Sequence, residues 1–511
     1  MDIINQFFKR VILLLSIYYI LVYIYLALIR MFYPFELEWM EGGMVGHIVQ
    51  IFQGHFLYQP PTIEFIPYIY GPFYFYLSAL LSKLMGIGFL PLRFLSIIAS
   101  LGCFILTYAI VKKETGKHFF SVVAVGLFAA TYKISGAWFD IARVDSLFVM
   151  LVLCGYYVLN YSSHRLSGFL SGFLLSLAFL TKQSALIIAI PLLFAYFFND
   201  IKKSLQAIFT FGIILIITTL TFDWISEGWY SYYIFELPKE HKFLFAKWQT
   251  FLFDDYIKDL FVVCGLAFWF IVFSIFTKHF KNDRVLIAFV IGMLVASYSS
   301  RLHVGGYLNC LIPAYAGLVI LASLSLNKIV DQINSTRTQI TLLSFRKNMV
   351  IDSKRIISFL TLLFGIYQFI HLYYPPHKQL PTEEDRKAGF QLINQIKEIE
   401  GEVLITAHGF YAYMAGKSLH AHGMAVHDIL RASKNTPAKQ ILIDSLTQAI
   451  NSKRFQAIIQ SKWCDFYPKS ILKIYSRTQK LPTKNVMIPV TGCYSVPKFI
   501  AYPPFDPRRN Q

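Results

Sequence analysis

Residues 73–85 read FYFYLSALLSKLM. Whether this stretch crosses a membrane decides how the whole chain is threaded. A helix rises about 1.5 Å per residue, so crossing about 30 Å of hydrocarbon takes roughly 20 residues. Thirteen residues fall short, and the stretch reads as a helix lying on the membrane surface. The next apolar run, about 90–111, ends in Lys112, Lys113 and Lys117. Cytoplasmic loops are enriched in Lys and Arg. Threading 73–85 through the membrane would put those three lysines on the wrong side.

Working outward, the run Val11–Met31 follows Lys9 and Arg10. It is too long for a signal-peptide core and has no small-residue cleavage site, so it reads as an uncleaved anchor with its N-terminus inside. Arg30, near its outer end, is expected to snorkel. Further spans are expected at about 119–138, 145–161, 167–181, 184–199, 204–225, 260–277, 285–300, 308–326 and 356–374. The inside loops then hold His164–Arg165, Lys202–Lys203, Lys278 to Arg284 and Lys328 to Arg355. This makes about eleven spans.

The composition agrees. Of 511 residues 56% are hydrophobic and only 15% are charged, against roughly 25% charged in soluble proteins. The net charge of +18 fits basic inner loops and headgroup contact rather than nucleic acid, for which there is no motif. After Tyr374 the apolar pattern ends. Glu384–Ile399 reads as an amphipathic helix, EVLITA (402–407) and FQAIIQ (455–460) as buried strands, with a helix near 437–452 between them. The expected fold is a polytopic α-helical membrane domain (1–374) with outer-surface juxtamembrane helices, followed by a small extracytoplasmic α/β domain (375–511). Cys103, Cys154, Cys264 and Cys310 lie in apolar runs and read as core. Cys464 and Cys493 could pair if the tail faces an oxidising compartment.

The expected outer side comprises 33–89, the turn near Asp140–Asp145, the loop 226–259 and the tail. FELEWMEGG (35–43) sets Glu36, Glu38 and Glu41 within six residues. Close carboxylates repel, which raises one pKa and favours a proton acceptor near neutral pH; a helix terminus is the plainer reading. WFDIARVDSLF (138–148) offers Asp140, Arg143 and Asp145, with Asp145 also readable as a helix cap. Arg143 is suited to a bidentate phosphate contact. FLTKQS (179–184) carries Lys182, and SSRLHVGGYLN (299–309) surrounds a diglycine with Arg301, His303, Tyr307 and Asn309, as anion sites do. The tail histidines His408, His420, His422 and His427 read as structural ahead of a metal site, lacking diagnostic ligand spacing. P-loop, GxGxxG, GxSxG and HExxH motifs are all missing.

Taken in order, these stretches resemble the GT-C superfamily of polytopic glycosyltransferases, in the bacterial branch related to protein O-mannosyltransferases and the lipid A aminoarabinose transferase. The matching elements are ELEWMEGG (36–43), GHFLY (54–58), YGPFYFYLSALLSKLMG (70–86), ARVDSLFVMLVL (142–153), TKQS (181–184) and GGYLNCLIPAYAGL (305–318). Together they cover roughly 10–326. Many relatives open with an Asp-Glu pair. Spacing back from Tyr58 puts that pair at Met40–Glu41, so the Asp is missing and the base is either Glu41 or Glu38.

The resemblance implies transfer of a sugar from a polyprenyl-phosphate-linked donor to a hydroxyl of a lipid, glycan or protein acceptor, with inversion, at the outer face of the plasma (inner) membrane. Glu41 or Glu38 is the expected base, with Asp145 assisting. Arg143, Lys182, Arg301, His303 and Tyr307 are expected at the donor phosphate. Tyr58, Tyr70, Trp229 and Tyr230 are the aromatic candidates for sugar or acceptor. No cofactor is required on this reading, and a divalent metal ranks as the lesser option. Two rivals are a transporter or lipid-linked glycan flippase, and a non-catalytic envelope assembly protein. The first is disfavoured because the expected spans are nearly free of charge at their middles. The second would tolerate neutralisation of the acidic loop.

Overall fold

Backbone groups in hydrocarbon can be satisfied only within the chain, so the apolar runs wind into helices. The computed structural model describes residues 2–332, 353–433, 435–481 and 488–504. In chain order, α1 spans Asp2–Met31, α2 Glu41–Phe52, α3 Phe73–Met85, α4 Phe89–Thr115, α5 His118–Ala130, α6 Asp145–Tyr161, α7 Ser167–Thr181, α8 Ala185–Phe197 and α9 Ile201–Ser226. Short helices α10 (Trp229–Ser231), α11 (Leu237–Glu240) and α12 (Phe245–Phe251) follow, then α13 (Lys258–Ile275), α14 (Phe280–Leu302), α15 (Ile312–Asn327) and α16 (Ser353–His371). The chain is a multi-pass membrane protein. Among the described residues, six helical runs are long and apolar enough to cross a membrane: 3–31, 89–115, 201–226, 245–275, 280–302 and 308–330. α16 and the helix after it, bent by 53° at their junction, pass the same test as a pair.

Helix α3 has the expected bounds and length. At the expected spans 145–161, 167–181 and 184–199 stand helices α6, α7 and α8, whose 17, 15 and 13 residues fall short of the six long runs, so among the described residues fewer helices than the expected eleven have the length of a full crossing. The expected span 119–138 is cut short. α5 stops at Ala130, and the chain turns through Gly136 (φ +75°) and Ala137 (φ +54°). α15 is buried along its whole length and forms the centre of the bundle, whereas α9 turns most of its surface outward. The segment 226–259 is not an open loop. It carries α10–α12 and two stretches of π-helix, Tyr232–Glu236 and Leu252–Ile257. The basic loop expected at Lys328–Arg355 lies largely outside the described residues.

Arg30 does not snorkel. Its side chain is fully buried, with Nε 3.1 Å from Asp140 Oδ2, and it donates to the Tyr132 hydroxyl and the Ala137 carbonyl. A buried charge of this kind is retained because it is paired.

The C-terminal sheet domain holds α17 (Glu383–Glu398), β1 (Val403–Ile405), α18 (Phe410–Met414), α19 (Gly423–Leu430), α20 (Pro437–Asn451), β2 (Ala457–Ser461), α21 (Lys469–Leu472), β3 (Arg477–Lys480) and β4 (Pro497–Tyr502). The sheet order is β1-β2-β4-β3. β1 and β2 are parallel, joined across α20, and β4 pairs antiparallel with both β2 and β3. Thr382 and Asp385 form a capping box at the start of α17, and Thr436 caps α20. Loop 33–72 is the surface on which this domain docks. Ala421 N–H donates to Ile63 O (2.8 Å), Ile63 N–H to Ser445 Oγ (3.0 Å) and His422 Nε2 to Trp39 O (3.1 Å).

One arginine organises the acidic loop. Arg93, fully buried near the start of α4, grips Glu41 with Nε on Oε1 (2.9 Å) and Nη2 on Oε2 (2.7 Å). The same guanidinium donates to the carbonyls of Arg30, Tyr33 and Phe35. Removing one member of a buried pair strands the other and costs about 3–5 kcal/mol. Glu41→Gln and Arg93→Ala are therefore expected to lower the thermal unfolding temperature of the detergent-solubilised protein sharply. An unfolding temperature within a degree or two of wild type (roughly 0.5 kcal/mol or less) would refute this anchoring role.

Candidate active site

The three carboxylates of FELEWMEGG have three different partners. Glu41 Oε1 accepts from Ala142 N–H (2.7 Å) and Oε2 from Leu37 N–H (2.6 Å), besides its Arg93 contacts. Burial alone would raise its pKa; the Arg93 guanidinium outweighs that and holds the carboxyl below its ordinary value. Glu36 meets His408 of the C-terminal domain, whose Nε2 reaches Ser495 Oγ at 3.2 Å. Burial pushes Glu36 well up and His408 down to about 3. Gly42 is required here, because a Cβ at that position would collide with Glu36 Oε1.

Glu38 differs from both. Its Oε2 accepts from Arg143 Nη1 at 3.0 Å, while Oε1 is buried with no hydrogen-bond partner among the described residues. Burial is the first cause raising its pKa, to about 7; Arg143 opposes and Glu41 adds a smaller push. Two carboxylates do end with divergent pKa values: desolvation rather than mutual repulsion is the main cause of the raised one, and Arg93 with the Ala142 and Leu37 amides lowers the other.

Glu38 lines a cavity of about 750 Å³ between the helix bundle and the C-terminal domain. Arg143, Lys182, His303, Tyr307 and Tyr70 line it too. Arg143 bridges Glu38 to the Tyr70 hydroxyl (2.8 Å) and stands over the Trp138 ring, 5.2 Å from its centroid. Tyr70 is set by its neighbours: its carbonyl accepts from Tyr58 OH (2.8 Å), and Gly71 lies against the backbone of Leu180. Lys182, at the end of α7, donates to Asp145 Oδ1 at 2.7 Å, and Asn309 Nδ2 reaches the same oxygen at 3.0 Å. Asp145 does not cap α6, whose N-cap is Val144. It stands behind Lys182 and does not line the cavity itself. The apolar wall is made by Phe179, Leu186, Ile187, Ile234, Phe235 and Pro238.

Other candidates sit elsewhere. Arg301 is engaged with Asp255 through Nε (3.0 Å) and Nη2 (2.8 Å) and with Gly306 O (2.5 Å), which fixes the diglycine turn rather than facing the cavity. Tyr58 and Tyr230 pack edge to face at 4.9 Å, and Trp229 packs on Tyr232 and Tyr233. None of these three lines the cavity. His420 lies between Glu64 (3.4 Å) and Glu402 (3.7 Å), and His422 Nδ1 accepts from Met424 N–H (3.1 Å). Among the described residues no group of three or more His, Cys, Asp or Glu is disposed to hold a metal ion.

The residues that the sequence did not bring to this cavity come mostly from the C-terminal domain. Met424, Asp428 and Arg431 of the α19 region, with Phe466, Gly492 and Cys493, form the far wall, joined by Lys239 and His241. Arg431 Nη2 contacts Asp428 Oδ1 (2.5 Å) and donates to His241 Nδ1 (3.1 Å). The three-residue spacing of Asp428 and Arg431 was visible, but nothing local says that this helix closes over a distant acidic loop. Cys464 and Cys493 form a disulfide.

A helix bundle that gathers acids and cations at one end, beneath a small α/β domain, has the architecture of the GT-C membrane glycosyltransferases. Residues 69–225 match the family model described as dolichyl-phosphate-mannose-protein mannosyltransferase. The fold matches ArnT from Cupriavidus metallidurans bound to undecaprenyl phosphate (TM-score 0.55, 12% identity, 94% of this chain and 97% of that one). It also matches the Archaeoglobus fulgidus oligosaccharyltransferase tethered with an acceptor peptide containing the NVT sequon (TM-score 0.53, 11% identity, 87% of this chain and 69% of that one). No curated protein sequence matches. The family match covers residues 69–225 and the fold likeness most of the chain, and both are likenesses to sugar transferases of the GT-C type.

Because Arg301 is bidentate to a buried carboxylate and His303 is not, Arg301→Ala should destabilise the protein by about 3–5 kcal/mol. His303→Ala should leave the unfolding temperature nearly unchanged. Paired thermal melts check this, and equal losses from the two would count against it.

Proposed function

We propose that this protein transfers a sugar from a polyprenyl-phosphate-linked donor to a hydroxyl acceptor at the extracytoplasmic face of the membrane, with inversion, and that Glu38 is the base. The observation that carries this is the half-engaged state of Glu38. One oxygen is held by Arg143, the other is buried without a hydrogen-bond partner among the described residues, and Glu38 lines a cavity that Lys182 lines too. Glu41 has both oxygens saturated by N–H donors, and so it serves as scaffold.

In this reading Glu38 Oε1 takes the proton of the acceptor hydroxyl as that oxygen attacks the anomeric carbon. The bond from that carbon to the phosphate oxygen breaks, and the electron pair leaves with the polyprenyl phosphate. Arg143 and Lys182 stabilise the departing phosphate, with His303 and the hydroxyls of Tyr70 and Tyr307 as further donors. Asp145, bonded to Lys182, aims that ammonium. The apolar wall of Phe179, Leu186, Ile187 and Phe235 takes the first isoprene units of the lipid. The undecaprenyl phosphate bound to ArnT supports this class of donor by analogy of fold. The cations alone balance the leaving phosphate, so chelation with EDTA should leave the rate unchanged.

The base must be deprotonated to act. With the Glu38 carboxyl raised to about 7, kcat/KM should climb as pH rises through about 7 and level off above it. Glu38→Gln should remove this limb and reduce transfer roughly 10²–10⁴-fold. Glu41→Gln should act through stability instead. Transfer by Glu38→Gln at the wild-type rate would overturn the assignment.

A further inference from the structure

The C-terminal domain sends one segment directly onto Glu38. Val490 N–H and Thr491 N–H both donate to the Leu37 carbonyl, at 3.0 and 3.2 Å. Thr491 pairs with Glu38 as an isolated parallel bridge, and its hydroxyl donates to Gly136 O in the turn that precedes Arg143. Gly492 follows with φ +74°, a backbone conformation that suits glycine. A Cβ there would stand 2.8 Å from Glu38 Cγ and 3.0 Å from Oε1. The strap therefore lies flush on the Glu38 side chain, whose other oxygen Arg143 holds.

What holds the strap is equally specific. Cys493, which lines the cavity beside Gly492, is bonded to Cys464, 29 residues earlier. Ser495 Oγ donates to Trp463 O at 2.7 Å and meets His408, the partner of Glu36. The loop after β2 and the strap before β4 are thus cross-linked above the acidic loop. A disulfide needed only for the sheet would not have to lie in the wall of this cavity.

We propose that the strap 490–495, cross-linked through Cys464–Cys493, is the positioning element for Glu38: it closes the cavity over the carboxylate and holds it against Arg143, and Gly492 is the residue that permits the close approach. The positioning role rests on Glu38 being the base; closure of the cavity does not. It follows that full activity requires the C-terminal domain to reside where disulfides form.

The cavity contains its own reporter. Cys310 is a free thiol in its wall, 9% exposed, whereas Cys103 is 2% exposed inside α4. The full-length protein in nanodiscs is treated with a charged, water-soluble maleimide, and the Cys310 and Cys103 peptides are followed by mass spectrometry. In Cys464→Ser/Cys493→Ser, Cys310 should react about tenfold faster than in wild type while Cys103 stays protected, as for local opening. Equal Cys310 rates with Cys103 protected would overturn the closure. Reaction of Cys103 means that this variant unfolds, and Gly492→Ala, which keeps the cross-link, then decides. Gly492→Ala should lower kcat for transfer roughly 10²-fold, as misplacement by about 1 Å does. KM for the donor should change little, and the midpoint of the pH profile should move away from that of wild type. An unchanged kcat and midpoint would overturn the positioning role. Glu38→Gln separates the two ideas: it should keep Cys310 protected yet not transfer. If it transfers, the base assignment fails and the closure result stands.

Discussion

The ion pair between Arg93 and Glu41 is the constraint on which this site depends. Neither group can be left alone in a dry interior, so each must find the other. Once Arg93 is fixed near the start of α4, its remaining N–H groups collect the end of α1 and the carbonyls of Tyr33 and Phe35. Glu41 in turn collects the amides of Leu37 and Ala142. One contact thereby brings together the acidic loop, the α5–α6 turn and two helices. Glu38 and Arg143, three residues before Glu41 and one after Ala142, are delivered to each other as a consequence.

The same logic recurs around the cavity. Arg30 pairs with Asp140, Lys182 with Asp145, Arg301 with Asp255 and Arg431 with Asp428. Charges at the end of an apolar bundle are costly unless paired, and pairing immobilises them. Asp145 Oδ2 is also buried without a hydrogen-bond partner among the described residues, but Asp145 stands outside the cavity wall. Glu38 Oε1 lacks a partner as well, and Glu38 belongs to the wall of a substrate-sized space. Pairing also explains why an acidic, basic and aromatic cluster can persist in a chain that is 56% hydrophobic.

Much of the architecture was legible in the chain. The apolar run 73–85 gave α3 its bounds, and the apolar runs after it gave helices in the expected order. The amphipathic period of 384–399 and the apolar runs at 402–407 and 455–460 gave the helix and two strands of the C-terminal domain, whose parallel pairing only the structure shows. The β3–β4 edge was not legible, because RTQK (477–480) is exposed throughout and carries no alternating apolar signal. Arg30 was misread for a related reason: hydropathy near a span end cannot reveal a carboxylate more than a hundred residues away.

The sequence by itself determined the class of molecule and the inventory of the site. Helix length, loop charge and the order of short motifs are local properties, and each is set by a few consecutive residues meeting water or hydrocarbon. It brought Glu38, Glu41, Arg143 and Lys182 forward as candidates on the same side of the bundle. Only the tertiary structure decided among them. Whether a carboxylate is saturated, as Glu41 is, or half engaged, as Glu38 is, depends on donors from α4 and from the α5–α6 turn. The strap at Gly492 and the wall at Arg431 were invisible for the same reason. Burial and hydrogen bonding are relations between distant segments, and they set the reactivity of a side chain whose identity alone leaves it open.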